Sequence, residues 1–155
     1  MRQTLTAVGI FFILTGVFGL SYSWNYDHRT AKFLDEYAVL DFQTSLNGDA
    51  RLEGAVLSLW DYRFDNAKFL PKAVLYTDGD PWEMVASVKQ QKAMSNRIPR
   101  MWQMENKLFM EFPRSSLPAI LMSKVVRLKI YYDNGQMINL PVSDEVLKDW
   151  KRKMR

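Results

Sequence analysis

The chain has 155 residues, 48% hydrophobic and 14% aromatic, which suffices for one domain with a substantial core and leaves no room for a second. It contains no cysteine, which excludes disulfides, iron–sulfur clusters, thiolate zinc sites and cysteine nucleophiles. Its 21 basic and 17 acidic residues are interspersed, a pattern more typical of a solvated surface than of a nucleic-acid interface, so no nucleic-acid partner is expected.

The N-terminal segment, residues 3–26, carries no formal charge and is long enough as a helix to cross a hydrocarbon core of about 30 Å. Arg2, the apolar run and the small residues around Tyr22 also fit a cleaved secretory signal, and a buried helix of a soluble protein is a third alternative. We expect a retained anchor because aromatic rings, which favour membrane interfaces, end the run: Tyr22, Trp24 and Tyr26.

The flanking charges indicate the orientation of this segment in the membrane only weakly. Positive residues favour the cytoplasmic side, and they occur at both ends of the segment: Arg2 before it, and Arg29 and Lys32 after it. The short head before the anchor favours a cytoplasmic N terminus and places most of the chain on the extracytoplasmic side.

We therefore divide the chain into a membrane anchor or uncleaved signal, a helical stalk and an exported α+β domain: residues 1–26, 27–36 and 37–155. The lone His28 has no partner histidine, so no metal site is predicted. The sequence has no Gly-rich phosphate loop, and no cofactor is predicted.

Two strands are predicted at the start of the domain. From Ala38 to Leu46 apolar and polar residues alternate, and a long strand resumes at Leu52 after the turn-forming sequence Asn-Gly-Asp. We expect a three-residue loop, which places Thr44 opposite Leu52 and keeps apolar side chains on one face.

The second strand carries rings at alternate positions, Trp60, Tyr62 and Phe64, with Asp61, Arg63 and Asp65 between them. Such a row of rings could be a binding platform for sugars, lipids or bases. We expect it to form the core of the sheet instead, because large rings dominate burial in small domains, and we expect the charged set to face solvent.

A short strand is predicted at residues 73–77, and the stretch that follows it can be interpreted in two ways. Asp80 as N-cap, Pro81 in the first helical position and Glu83 three residues after the cap favour a helix up to about Met94. Alternatively, Gly79 turns a hairpin and the alternation after it belongs to a strand. We favour the helix.

The most basic stretch before the C-terminal tail follows, and it includes a tryptophan. Basic residues beside an aromatic ring could bind phosphates or anionic lipid headgroups, although an exposed loop would carry such residues in any case. The candidate anion-binding residues are Lys89, Lys92, Arg97, Arg100 and Trp102.

The C-terminal third gives the clearest local signals. Residues 107–112 predict a strand and residues 115–118 a loop, and residues 125–140 predict a hairpin whose three-residue turn pairs Leu128 with Leu140. Ser143 then caps a final helix that has acidic residues in its first turn, basic residues at its end and Trp150 on its apolar side.

These elements predict an α+β protein: an N-terminal transmembrane helix followed by one small domain, with an antiparallel β-sheet and a C-terminal helix packed on it. No catalytic set is assembled, since a serine nucleophile would lack a base. The leading hypothesis is a single-pass, non-enzymatic interaction or assembly subunit of a membrane or envelope complex, meeting other proteins through a sheet edge or loops near Asn96 and Ser115. The alternatives are a binding module for an anionic lipid headgroup or polyanion, and a membrane-tethered enzyme with an unrecognised site.

Overall fold

The structure, a computed structural model, describes residues 31–94 and 102–155. The predicted anchor, with Tyr22, Trp24 and Tyr26, lies outside the described residues, as do Asn96, Arg97 and Arg100. Within the two described ranges, no helix combines the length and apolar character needed to cross a membrane.

The described residues form one small antiparallel sheet with a C-terminal helix, an α+β domain. Seven strands pair in the order β1-β2-β5-β4-β3-β6-β7, every neighbouring pair antiparallel. The strands are β1 Val39–Leu46, β2 Leu52–Arg63, β3 Phe69–Thr77, β4 Asp80–Met94, β5 Trp102–Glu111, β6 Val126–Tyr132 and β7 Met137–Pro141. The helices are α1 Leu34–Tyr37, α2 Ser116–Met122 and α3 Asp144–Lys153.

One face of the sheet, here called the inner face, carries the core. Alternate residues of each strand point to it, and the three helices add side chains to the same cluster. Its fully buried members include Tyr37, Leu57, Leu59, Leu75, Leu108, Met110, Ile120, Leu128, Tyr132 and Trp150. The opposite, outer face carries the other set of alternate residues.

The predicted C-terminal helix is confirmed. The Ser143 side chain accepts a hydrogen bond from Val146 N at 3.4 Å, which caps α3 at its N terminus. Trp150 is 2% exposed, and its ring stacks on Phe42 with the centroids 4.7 Å apart. This stacking fastens α3 to the inner face beside β1.

The predicted hairpin of residues 125–140 is also confirmed, including its register. Leu128 pairs with Leu140 and Ile130 with Ile138, and Tyr132 N donates to Gln136 O. Gly135 has a φ of 88°, a left-handed conformation that glycine adopts without a steric penalty.

The helix expected at residues 80–94 is wrong, because this segment is strand β4. Asp78 and Gly79 have φ values of 47° and 96°, as the two central residues of a type I′ turn require, and Thr77 pairs with Asp80 across it. The Asp-Gly pair and the alternation that follows it outweigh the capping-box pattern, because β4 gains a partner strand on each side.

The face predicted for β2 is wrong as well. Leu57, Leu59 and Asp61 lie on the inner face and are buried, whereas Trp60 is half-buried on the outer face and Phe64 is exposed. Both alternating sets of this strand contain large apolar residues, so alternation alone does not choose the face. The smaller leucines pack beneath the helices, and the larger rings lie outside.

The first hairpin differs from its predicted register. Its loop spans residues 47–51, where the Asn47 side chain accepts hydrogen bonds from Asp49 N and Arg51 N. A bulge between Ser45 and Leu46 then pairs Leu46 with Leu52, and Thr44 lies opposite Ala55 rather than Leu52.

Two further predicted elements differ from the structure in type or extent. Ser115 is the N-cap residue of α2, and three residues of that helix, Ser116, Leu117 and Ile120, are buried, so the loop predicted at residues 115–118 is wrong. The short strand predicted at residues 73–77 lies within β3, which begins at Phe69 and has a register irregularity before Ala73.

The described end of the predicted stalk packs against the domain. Leu34 and Tyr37 are both 0% exposed, and the Asp35 carboxylate accepts hydrogen bonds from the N–H and the hydroxyl of Ser143 at 2.9 and 2.8 Å. Helix α1 is thereby joined to the start of α3.

Candidate functional site

The outer face carries a compact group of exposed and half-buried side chains on its central strands β2, β5 and β4. In register, Trp60 lies opposite Lys107, and Lys107 lies opposite Lys89 on the next strand. These three residues line a shallow depression of about 140 Å³ together with Gln91 and Glu105. We call this group, with the neighbouring Phe109, the outer patch.

Aromatic rings hold the Lys107 amine in place. Its Nζ atom lies 4.7 Å from the centroid of the Trp60 ring and 4.3 Å from that of the Phe109 ring. A cation beside an aromatic face gains about 0.5–1 kcal/mol at exposed sites. The rings therefore position this amine at the surface.

The two lysines of the patch are direct cross-strand partners, an arrangement that is destabilising because like charges meet across the ladder. Within the described part of the chain, neither lysine forms an ion pair. The nearest carboxylate in the depression, Glu105, accepts hydrogen bonds from Tyr62 Oη at 3.0 Å and from Gln91 Nε2 at 2.5 Å. The patch thus combines a net positive charge, two lysines against one glutamate, with apolar rings.

The residues proposed from sequence for anion binding are only partly brought together. Lys89 belongs to the outer patch. Lys92 lies three residues further along the same regular strand, and because successive side chains alternate between faces, it points to the other face. Trp102 begins β5, and its side chain is outside what the structure describes. Sequence reasoning missed Lys107 and Phe109, because only the strand register reveals that they neighbour Lys89 and Trp60.

A second polar group lies inside the domain. Tyr132 Oη donates to Asp61 Oδ2 at 2.6 Å, and the Tyr37 and Tyr132 hydroxyls are 2.6 Å apart. Arg63 Nη1 lies 3.6 Å from Asp61 Oδ2, and its guanidinium carbon lies 4.5 Å from the Tyr132 ring centroid. We call these four residues the tyrosine–aspartate network.

Burial dominates the electrostatics of this network. Burial, and after it the negative charge of Asp61, raises the pKa of both Tyr132 and Tyr37 above the usual tyrosine value. The hydroxyls therefore stay protonated and act as hydrogen-bond donors at neutral pH. Asp61 is 0% exposed, so the centre of the network is closed to solvent, and the network links elements of the fold.

The buried polar row continues along the neighbouring strands. Asn106 lies opposite both Asp61 and Gln90, and its side chain donates to Ala67 O at 3.0 Å while accepting from Gln90 Nε2 at 2.9 Å. Gln90 also donates to Ala67 O at 3.1 Å. These bonds fasten the β2–β3 connection over the end of the core.

Carboxylates gather at one further place, a cleft between β1 and α3 that includes Asp35, Asp41 and Asp149. Asp35 is engaged by Ser143, and Asp149 forms ion pairs with Arg152 and Lys153. Across residues 31–94 and 102–155, no three acidic or histidine side chains converge as metal ligands would.

Comparison with protein-family models, with curated protein sequences and with solved structures finds no match for this chain.

Proposed function

We propose that this chain is a membrane-anchored, non-enzymatic interaction subunit whose domain binds an acidic surface of a partner protein through the outer patch. The observation that carries the proposal is the direct pairing of Lys89 with Lys107 beside the Trp60 ring. A carboxylate or similar anion of a partner would relieve the repulsion between the two amines. The rings would supply apolar contact area.

The face on which the patch lies is suited to recognition. The helices cover the inner face, so the outer face retains exposed apolar side chains, among them Phe109 at 42% and Val85 at 70% exposure. Aromatic residues are enriched in protein interfaces, whose rims are polar. The uncharged residues 3–26 support the membrane tether, which would raise the effective concentration of a weakly bound membrane partner.

A second candidate function rests on the same pair of lysines. Two amines without ion-pair partners in the described part of the chain could instead bind a lipid headgroup or another polyanion. We favour the protein partner because the patch offers two large rings and few charges. Binding to polyanions depends mainly on the number of phosphate or sulfate contacts.

The test is co-purification of the full chain from membranes in a mild detergent, with partners identified by mass. The double variant Lys89→Glu with Lys107→Glu should lose the partner by about tenfold or more, because like charges would then face an acidic surface. The matched control is Lys148→Glu, an exposed charge reversal on α3. Repeated recovery of the wild-type chain alone would contradict the proposal.

A second experiment distinguishes the polyanion-binding candidate from the protein-binding one. It measures how strongly heparin retains the full chain, in a neutral detergent, at a series of salt concentrations. Retention that falls steeply with salt, and that disappears in the double variant, would identify a polyanion as the ligand. If co-purification of a protein is unchanged in the same variant, the outer patch is not the protein-binding surface.

A further inference from the structure

We propose that the cleft between β1 and α3, a surface separate from the outer patch, receives an extended cationic segment of a partner chain. The segment adds to the sheet as a strand beside β1. The cleft has a volume of about 320 Å³. One wall is formed by Ala38 and the first residues of β1 up to Phe42, and the other by one side of α3.

The edge of β1 that faces the cleft presents backbone groups for pairing. Ala55 O accepts from Phe112 N, so the backbone groups of Ala55 point towards β5 and away from β1. Because N–H and C=O groups alternate in direction along a strand, those of Leu57 and Leu59 also point towards β5. Their partners on β1 are therefore not hydrogen-bonded to β2.

Those partners are Thr44, Phe42 and Leu40, whose N–H and C=O groups face the outer edge of β1. In the described part of the chain, the one hydrogen bond to this row of backbone groups is that from Lys153 Nζ to Phe42 O, at 3.2 Å. Such an edge is a template for a further strand.

The opposite wall gives the cleft the form of a strand-addition groove. Val146, Asp149, Trp150 and Lys153 recur at helical spacing and line it from one side of α3. Grooves between a sheet edge and a helix bind extended peptides: backbone hydrogen bonds give the affinity, and alternate side chains give the specificity. Here Val146 and the half-buried Leu40 provide an apolar floor.

The charges of the cleft specify a cationic occupant. Three acidic residues line it, Asp35, Asp41 and Asp149, against one basic residue, Lys153, although the whole chain has a net charge of +4. An extended segment with lysine or arginine at alternate positions would place its cations along this wall.

Lys153 protects the edge while the cleft is unoccupied. Its amine bonds Phe42 O and lies 3.2 Å from an Asp149 carboxylate oxygen. A charged lysine at a sheet edge is a common guard against unwanted pairing. An entering segment replaces both contacts at once, because its N–H bonds Phe42 O and its cation pairs with Asp149.

The test uses the full chain in a neutral detergent and a fluorescent octapeptide of alternating lysine and valine, with binding measured by anisotropy. N-methylation of one alternate set of peptide amides should weaken binding about tenfold, because it removes the hydrogen bonds to β1. Methylation of the other set should change affinity by less than about twofold. Glutamate in place of lysine should weaken binding at least about tenfold.

Variants of the protein give matched controls. Asp149→Lys should weaken peptide binding, whereas Lys148→Glu and the double variant of the outer patch should leave it unchanged, so this test is independent of the proposed function. No binding up to about 1 mM peptide, equal effects of the two methylation sets, or wild-type affinity in the glutamate peptide would overturn the proposal.

Discussion

Tyr132 Oη on β6 donates a 2.6 Å hydrogen bond to Asp61 Oδ2 on β2, although three strands lie between β6 and β2 in the sheet. In a flat sheet, strands four positions apart would be about 19 Å from each other. The sheet must therefore curl so that its inner face closes on itself. The tyrosine–aspartate network fastens this closure, with Tyr37 of α1 as a third member.

Removing the Tyr132 hydroxyl should destabilise the fold. In Tyr132→Phe, the buried Asp61 carboxylate loses a charge-assisted hydrogen bond, so the free energy of unfolding should fall by about 1–3 kcal/mol. The matched control is Tyr131→Phe, which alters a hydroxyl on the outer face and should cost less than about 0.5 kcal/mol. Denaturant unfolding measures both, and equal losses would refute the role given to the network.

The raised pKa values of Tyr132 and Tyr37 predict loss of stability in alkali. Tyrosines of the unfolded chain lose their protons near pH 10, whereas these two keep theirs in the folded state. The folded state then binds more protons, so the free energy of unfolding falls as pH rises above about 10, by up to about 1.4 kcal/mol per pH unit for each tyrosine. Below about pH 9 the contribution is fully present.

The measurement is denaturant unfolding at a series of pH values from about 8 to 11. In Tyr132→Phe the free energy of unfolding should decline less steeply above pH 10 than in the wild type, because only Tyr37 then binds its proton more tightly in the folded than in the unfolded state. Identical declines would show that the alkaline loss arises from other groups.

The turn between β3 and β4 depends on Asp78. Its φ is 47°, and its carboxylate accepts hydrogen bonds from Lys124 N and Val125 N at 3.0 and 2.9 Å, which join the turn to the start of β6. Asp78→Ala should lower the free energy of unfolding by about 1–3 kcal/mol, because it removes both acceptors and disfavours the left-handed conformation.

Asp78→Asn is the matched variant for this turn. Asparagine tolerates the left-handed conformation and keeps one acceptor oxygen, so it should cost clearly less than alanine in the same unfolding measurement. Equal costs for the two variants would mean that neither the turn conformation nor the acceptor stabilises the fold.

Local signals in the sequence predict the C-terminal part of the fold well. Ser143 as a cap and Gly135 in a left-handed turn act within a few residues, so both signals are visible in the local sequence. The segment at residues 80–94 carries two competing local signals, and the partner strands on both sides decide between them. For β2, where both alternating sets contain large apolar residues, the position of the helices decides the face.

The candidate site is predictable only in part, for a related reason. Lys89 is found as one of several basic residues in a stretch of sequence, yet its neighbours Lys107 and Trp60 come from strands that are distant along the chain. Their proximity follows from the order β2-β5-β4, which no local pattern encodes. The same holds for Asp61 and Tyr132, whose contact depends on the curl of the whole sheet.

The central claim is that the opposed lysines of the outer patch serve binding rather than folding. The most direct measurement is the amount of partner that co-purifies with the Lys89→Gln variant, compared with the amount that co-purifies with the control variant Lys148→Gln. Both variants are full chains, and the free energy of unfolding of each is measured first. Relief of the like-charge pair should leave the free energy of unfolding unchanged or raise it by up to about 1 kcal/mol, while recovery of the partner falls several-fold. Equal recovery of the partner with the two variants would contradict the account.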